Sequence, residues 1–588
     1  QGAATMRNFI SKPQGPAQNR PGFAFVREVK DSTKSTRLLS FTFNTTQTMV
    51  IEMGHEYFRF HTQGQTLVYV DGGAWNGGTN YAIGDIAKQG GVNYYAKTAH
   101  SNQQPPNATH WYPLPTNPNI YEIPHPYQQD ANDQELFDVN YVQSADVMTL
   151  VHPNHPPAEL RRYGATNWQF ININFGTPLP APTNPAVSAY IPSSSSTNAD
   201  TYVDHAYVIT AVKSNLAEES SQSIACQVQN NIFVTGAKNT VSWTTVSGAS
   251  RYRVYKQSGG IYGFIGETTS NALIDDNIAP DFSRTPPIHE NDFVGTNNYP
   301  GAVSYFEQRR VFAGTNNAPQ NIWMTKSGTE NNMSFGLPIR DDDRIEFRVA
   351  AREANTIRHI VPLTNLLMLT GSAEWRITSV NSDAITPTSI SVKPQSYVGA
   401  NNAQPVIVNN SLVYGAARGG HVRELGYNWQ ANGFVTGDLS LRAPHLFDNF
   451  TILDMGLSKS PIPIVWMVSS NGKLLGLTYV PEQQIGAWHQ HDTDGTFESV
   501  ACVSEGNDDV TYCVVKRTIN GATKRYVERM GTRLFATQRD NFFVDSGGTY
   551  NGTNTDTNRT VTISGGTNYT KGETVTVTTN YNLFNAPP

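Results

Sequence analysis

The chain is short of charge, of cysteine and of long apolar runs, and each shortage removes a class of protein. Only 15% of its 588 residues are Asp, Glu, Lys or Arg, and the formal net charge is −6. Lys and Arg are scattered, with no run longer than the pairs Arg161-Arg162 and Arg309-Arg310. A protein that grips duplex DNA to read it carries a basic face, so tight DNA binding is not expected. Passage of DNA past a weakly repulsive wall stays compatible with this balance. No apolar stretch approaches the roughly 20 residues a membrane-crossing helix needs. The start, Gln1-Gly2-Ala3-Ala4, lacks the basic flank and apolar run of a signal peptide, and it lacks an initiator Met. The expectation is a chain without a leader whose natural N-terminus lies elsewhere. Cys226, Cys502 and Cys513 are too few to pair fully and show no CxxC spacing. Cys502 and Cys513 could meet across a hairpin, but the plain reading is two small buried apolar side chains. A reducing cytoplasm during assembly fits this usage. Walker A, GxSxG and HExxH patterns are missing as well.

In their place the chain has 47 Gly, 34 Pro and 11% aromatics, a composition of short strands and tight turns. The expected fold class is mainly all-β, a propeller- or barrel-like platform of short strands carrying smaller β modules. Residues 1–64 and 119–178 read as two parts of an N-terminal β platform. Arg37–His61 holds three short β runs separated by turns at Asn44–Gln47 and Gly54-His55. Residues 65–118 turn rich in Gly, Asn, Tyr and Pro and read as an insertion. PLPAPTNPAV (Pro178–Val187) is a proline-rich linker. Residues 288–545 carry strands with turns at roughly 8–12-residue spacing, such as RRVFAG, LLMLTG, PIVWMVSS and KLLGLTYV. Arg352–Ile360 could make a helical turn or two. Residues 546–588 are a polar Thr/Gly/Asn-rich accessory segment, with Thr560–Asn580 reading as a hairpin.

Several stretches resemble known modules. Residues 179–287 resemble fibronectin type III material: His205–Ser220 is similar to its late strand pair and Asn239–Asn277 to its early and middle strands. Trp243 and Tyr252 would be core aromatics and Gly248-Ala249 a turn. That order suggests one complete module plus part of another. Ala74–Leu114 resembles small chitin- or cellulose-type carbohydrate-binding modules, with Trp75, Tyr81, Tyr95 and Trp111 as candidates for stacking on sugar C–H faces. The same aromatics could instead be the core of so small a module.

Three further patterns have chemical potential. His152 and His155 stand in HxxH spacing, but Pro153, Pro156 and Pro157 forbid a helix and no third ligand is near in sequence, so no metal site is assigned. Asp341-Asp342-Asp343 could bind a cation. Flanked by Arg340 and Arg344, they read better as a turn with ion pairs, and Arg309, Arg310, Asp341, Asp342, Asp343 and Arg344 are candidate subunit contacts. HDTDGTF (His491–Phe497) resembles the structural turn boxes of sialidase propellers. Glu482 and Glu498 could be imagined as a glycosidase pair, yet nothing in the sequence brings them together.

Five longer segments, in order, resemble the tail nozzle (tail tubular protein B-like) family of podovirus-type short-tailed bacteriophages. They are MRNFISKPQGPAQNRPG (Met6–Gly22), Glu135–Gly164, Tyr299–Asn332 with the RDDDRIEFRVAAREANTIRHIVPL and GSAEWRITS that follow, Gln404–Phe447 and Ser469–Val500. The resemblance is weakest in 65–118 and after 545. It implies a structural virion protein of the tail, expected as a homohexameric ring below the tail adaptor. The ring would form the DNA exit channel and a platform for fibres or tailspikes. Its partners would be itself, the head-to-tail connector, passing double-stranded DNA and, through 65–118, a host surface glycan. It implies no catalytic residue and no cofactor. The competing reading is a phage-borne adhesin or polysaccharide-degrading propeller.

Overall fold

The computed structural model describes residues 5–44, 47–130, 134–193, 199–214, 218–350, 356–381, 383–537 and 541–548, and the backbone of 558–562 and 574–578. The protein is all-β: among the described residues the helical pieces are 3-10 turns of three residues each, such as Pro444–Leu446. The reason is visible in the sequence. β-branched and aromatic residues recur in strands of two to twelve residues, and Gly, Asn and Pro interrupt them before a helix could nucleate.

The chain divides into two compact units: Gln1–Ile171 with Gly371–Ala373 and Gln395–Pro588, and Asn172–Thr370 with Glu374–Pro394. The first unit is built from small, mostly antiparallel sheets, several of them four-stranded meanders in which consecutive strands are neighbours, the unit that propellers repeat. One contains Asn140–Ser144, Val147–His152, His155–Gly164 and Asn167–Asn172; others run from Val406–Val408 to Gly433–Asp438 and from Ile452–Ser458 to Ile485–His491. A further sheet joins both ends of the chain: Phe23–Glu28 lies beside Ala522–Met530, which continues into Asp508–Ile519 and Thr496–Glu505. The three runs expected in Arg37–His61 are the strands Arg37–Thr42, Thr48–Gly54 and Tyr57–Thr62. Their core, with Phe41, Phe58, Phe60, Tyr121 and Trp168 fully buried, is aromatic; each such side chain contributes about 1.5–3 kcal/mol over an exposed one. Gly420 shows why a turn can demand glycine. Its φ is +69°, and a Cβ there would lie 1.7 Å from the Phe450 carbonyl oxygen.

The second unit holds two further four-stranded sheets, Ala302–Phe306 to Ile345–Arg348 and Ile357–Pro362 to Ser391–Ser396, and a two-sheet sandwich. In the first of these sheets Phe306 pairs with Arg309, so Glu307 and Gln308 form a two-residue hairpin loop, both at positive φ. In the sandwich, one sheet orders Thr183–Tyr190, Lys238–Thr244 and Ala272–Asp275; the other orders Cys226–Asn230, Val203–Val212, Arg251–Ser258 and Ile261–Thr268. The segment similar to a late strand pair therefore shares these two sheets with the segment similar to early and middle strands. A single seven-stranded body accommodates both, and no part of a second module is needed. Trp243 and Tyr252 are buried in its core, 5.3 Å apart between ring centroids. Tyr207 crosses the sandwich by donating to Asp275 at 2.7 Å.

Three local expectations have separate outcomes. Cys502 faces Thr511 and Cys513 faces Val500, so the two thiols are offset on the hairpin and both are free. Burial raises the Cys502 thiol to about 12 and lifts Cys513 well above the usual thiol value, which leaves both inert. The helical turn expected in Arg352–Ile360 falls partly outside the described residues, and Ile357–Pro362 is strand. The hairpin expected near the end pairs Asn558–Thr562 with Thr574–Thr578.

Candidate functional site

The charged residues that the sequence marks in 309–344 do come together, but they close on one another inside the second unit. Arg309 emerges from the Glu307-Gln308 turn and is buried. It donates to the carbonyls of Thr325 (2.8 Å), Asp343 (2.6 Å) and Asp341 (2.7 Å), and burial lowers its pKa from the usual arginine value. Arg310, with no exposed surface, donates to the Tyr305 hydroxyl at 3.1 Å and pairs with Glu330. Asp343 is buried and accepts the backbone N–H groups of Gly336 and Arg340 at 2.9 Å each, and Lys326 at 3.0 Å. Arg344 binds Asp292 at 2.8 Å, Glu290, and Glu346 at 3.2 Å while lying over the Phe335 ring. Asp342 is half exposed; burial opposes its charge, but the ammonium of Lys326, 2.9 Å away, holds its carboxyl below the usual range. Arg309, Arg310, Asp343 and Arg344, expected as subunit contacts, are buried within their own chain. The partners described above all lie within the chain, and of the three aspartates Asp341 and Asp342 are exposed.

The first unit treats its arginines in the same way. Arg517 grips Glu528 at 2.7 and 2.8 Å, Arg525 grips Glu498 through two nitrogens, Arg20 holds Asp545 at 3.0 and 2.9 Å, and Arg533 reaches Asp508 at 3.0 Å. Such bidentate pairs fix geometry and remove cations from circulation. Arg517 also donates to Thr493 and to the Asp494 carbonyl, so the HDTDGTF box is a turn fastened to its own sheet. Of the imagined carboxylate pair, Glu498 is the partner of Arg525 and Glu482 lies on an exposed 3-10 turn bonded to Asn409.

In the inserted module, Ile86–Gln89 and Val92–Ala96 form a hairpin flanked by Trp111–Pro113 and Gly73–Ala74. Tyr81 and Trp111 meet edge to face at 5.0 Å in its core, and Trp111 donates to the Gln103 carbonyl at 2.7 Å. Tyr95 points elsewhere, into the main aromatic core, where it donates to the Trp168 carbonyl at 2.8 Å. Trp75 is half buried against the same small core. Tyr81, Tyr95 and Trp111 are 8%, 2% and 2% exposed. Rings that deep offer no face to a sugar, which corrects the stacking assignment for Tyr81, Tyr95 and Trp111; Trp75 alone of the four keeps part of its ring exposed.

The sequence undervalued one cluster. His152 ends one strand, His155 begins the next, and the two are cross-strand partners around the Pro153-Asn154 turn, their rings 5.4 Å apart. Glu135, from the loop before this sheet, places Oε2 2.7 Å from His155 Nε2. One ligand atom from each of the three lies within 4.8 Å of the others. Burial opposes the Glu135 charge, but the Gln128 N–H at 2.9 Å and His155 hold its carboxyl below the ordinary range. Burial pushes His152 down, toward the neutral imidazole. The only sequence signal was HxxH; the third member comes from outside any short motif.

No family model matches the chain, and no curated protein matches it. Solved structures similar to it include the WD40 repeats of RRP9, at 8% identity, covering 67% of this chain and 98% of that one, with a TM-score of 0.27. The Pan2 WD40 domain of Neurospora crassa gives 7% identity, 69% and 90% coverage and a TM-score of 0.28. A luciferin-regenerating enzyme gives 9% identity, 41% and 92% coverage and a TM-score of 0.19. None of these scores reaches the level at which a shared architecture follows, so the fold rests on the sheets described above.

Proposed function

We propose that this chain is a structural subunit of a short-tailed phage tail, the nozzle that assembles as a ring around the DNA exit channel and carries fibres or tailspikes. The reading is carried by the five ordered segments that resemble the tail nozzle family. They coincide with strand units of the fold: Phe9–Ser11 with Ala17–Asn19, the three strands from Asn140 to Gly164, those from Ala302 to Met324, those from Val406 to Asp438, and Leu474–Val480 with Ile485–His491.

The chemistry of the charged groups supports the same reading. A tube must let the whole genome slide, and every strong phosphate contact is a brake, because Lys and Arg that neutralise phosphates release counterions and bind tightly. Here Arg309, Arg310, Arg344, Arg517 and Arg525 are held by acceptors of their own chain, and the net charge is −6. A ring follows when heterologous contacts close by rotation. In that ring the seven-stranded sandwich, tethered after a proline-rich stretch, is an outward appendage rather than channel wall.

Electron microscopy of the purified chain with its adaptor tests the proposal. A closed sixfold ring with an open axis, with the sandwich on its rim, is expected. A free oligomer without an axial opening that cleaves surface polysaccharide would overturn it in favour of the enzyme reading.

A further inference from the structure

We propose that Glu135, His152 and His155 form a binding site for one zinc-class divalent ion. Two imidazoles and one carboxylate are the donor set zinc takes when three protein ligands leave a fourth position open. Calcium and magnesium select oxygen donors instead. The geometry is close to assembled. The hairpin register sets the two imidazoles side by side across the Pro153-Asn154 turn, and the Glu135 carboxylate already contacts one of them. The three ligand atoms, within 4.8 Å of each other, need only side-chain rotation to surround an ion.

The surroundings match what an ion site requires. On His152, Nδ1 accepts a long bond from the Asn154 N–H, 3.2 Å away, so that nitrogen holds a lone pair and not a proton. An ion taking it displaces one weak contact. Glu135 is braced from behind by the Gln128 N–H, and Asn154 Nδ2 lies 3.4 Å from its other oxygen; such outer partners orient metal ligands. A second observation is independent of the three. Tyr127 is fully buried, its ring is 5.1 Å from that of His155, and its hydroxyl has no hydrogen-bond partner. A buried hydroxyl left unpaired is destabilising. Glu135 is close enough to act on it electrostatically, and a water at the open position of the ion would give it a partner.

The test is cobalt(II) titration of the full chain, read by visible absorption, followed by competition with zinc. The expected result is the intense d–d bands of a four-coordinate nitrogen/oxygen site, saturating at one ion per chain and abolished by one equivalent of zinc. His155→Ala and Glu135→Gln should weaken zinc binding by more than the roughly tenfold to hundredfold that loss of an outer partner costs. His445→Ala, an exposed histidine elsewhere, should leave binding unchanged. A wild-type spectrum identical to cobalt in buffer overturns the proposal without recourse to any variant. So does unaltered affinity in Glu135→Gln, which keeps the volume of the side chain and one acceptor oxygen.

Discussion

Two pairs of histidines in the first unit are close neighbours in space, and they differ in the third group that meets them. His489 and His491 lie two apart on the strand Ile485–His491, face the same side and are buried at 1% and 0% exposure. His489 Nδ1 meets His491 Nε2 at 2.7 Å, and both rings pack on Trp466. The charges that reach them are arginines: Arg533 bears on His489 and Arg20 on His491. His152 and His155 also face each other, but their outside neighbour is a carboxylate. The lesson is that spacing brings imidazoles together while the third group decides their use. Against cations in an apolar core, a pair stays neutral and structural; beside Glu135 it gains a ligand.

The largest expected effect comes from removing what packs the buried pair. Trp466→Ala empties a fully buried site and should cost about 3–5 kcal/mol, read as a shift in denaturant midpoint with unchanged slope. If the loss were near that of a surface change, the packing account of the neutral pair would fail.

Acid sharpens the comparison next. Burial lowers His489 from its ordinary 6.5 to about 3, does the same to His125, and holds His491 well below its ordinary value. A lowered folded pKa means the unfolded chain binds more protons between the two values. The stability it contributes is therefore complete above about pH 6.5 and is lost as pH falls toward 3. The loss should be on the order of a few kcal/mol. Thermal melts across this range should decline steadily, and His489→Gln should flatten the upper part of the decline. Glu135→Gln should flatten it only below the ordinary carboxyl value of 4.5. Identical profiles for both variants would erase the distinction drawn between the pairs.

The parts legible in sequence and the parts hidden from it follow the same division. Strands such as Arg309–Ala313 and the core roles of Trp243 and Tyr252 were readable, because alternation and turn residues are local. The partners of Arg310 and Arg533 were not: Glu330 and Asp508 are 20 and 25 residues away, and only the folded sheets choose them. Glu135 escaped for the same reason: it arrives from a loop 17 residues before His152, outside any short metal-ligand motif. The aromatics of 65–118 were visible, yet a pattern of rings does not say which faces stay wet, and burial of Tyr81, Tyr95 and Trp111 settled that against stacking.

The smallest effect belongs to an exposed charge. Arg7 binds Asp492 at 2.7 Å with a side chain 67% exposed. Arg7→Ala should change stability by about 0–1 kcal/mol, and less in high salt. A larger cost in a salt-titrated melt would mean surface pairs matter here as buried ones do.

The central proposal, that arginines such as Arg309, Arg310, Arg517 and Arg525 are held by their own chain and that DNA slides past a ring of such subunits, is tested most directly by duplex-DNA binding to the assembled ring across a salt series. The account predicts weak association with a shallow dependence on salt, the signature of few phosphate contacts. Tight binding that falls steeply as salt rises would show a basic grip on the genome and would contradict it.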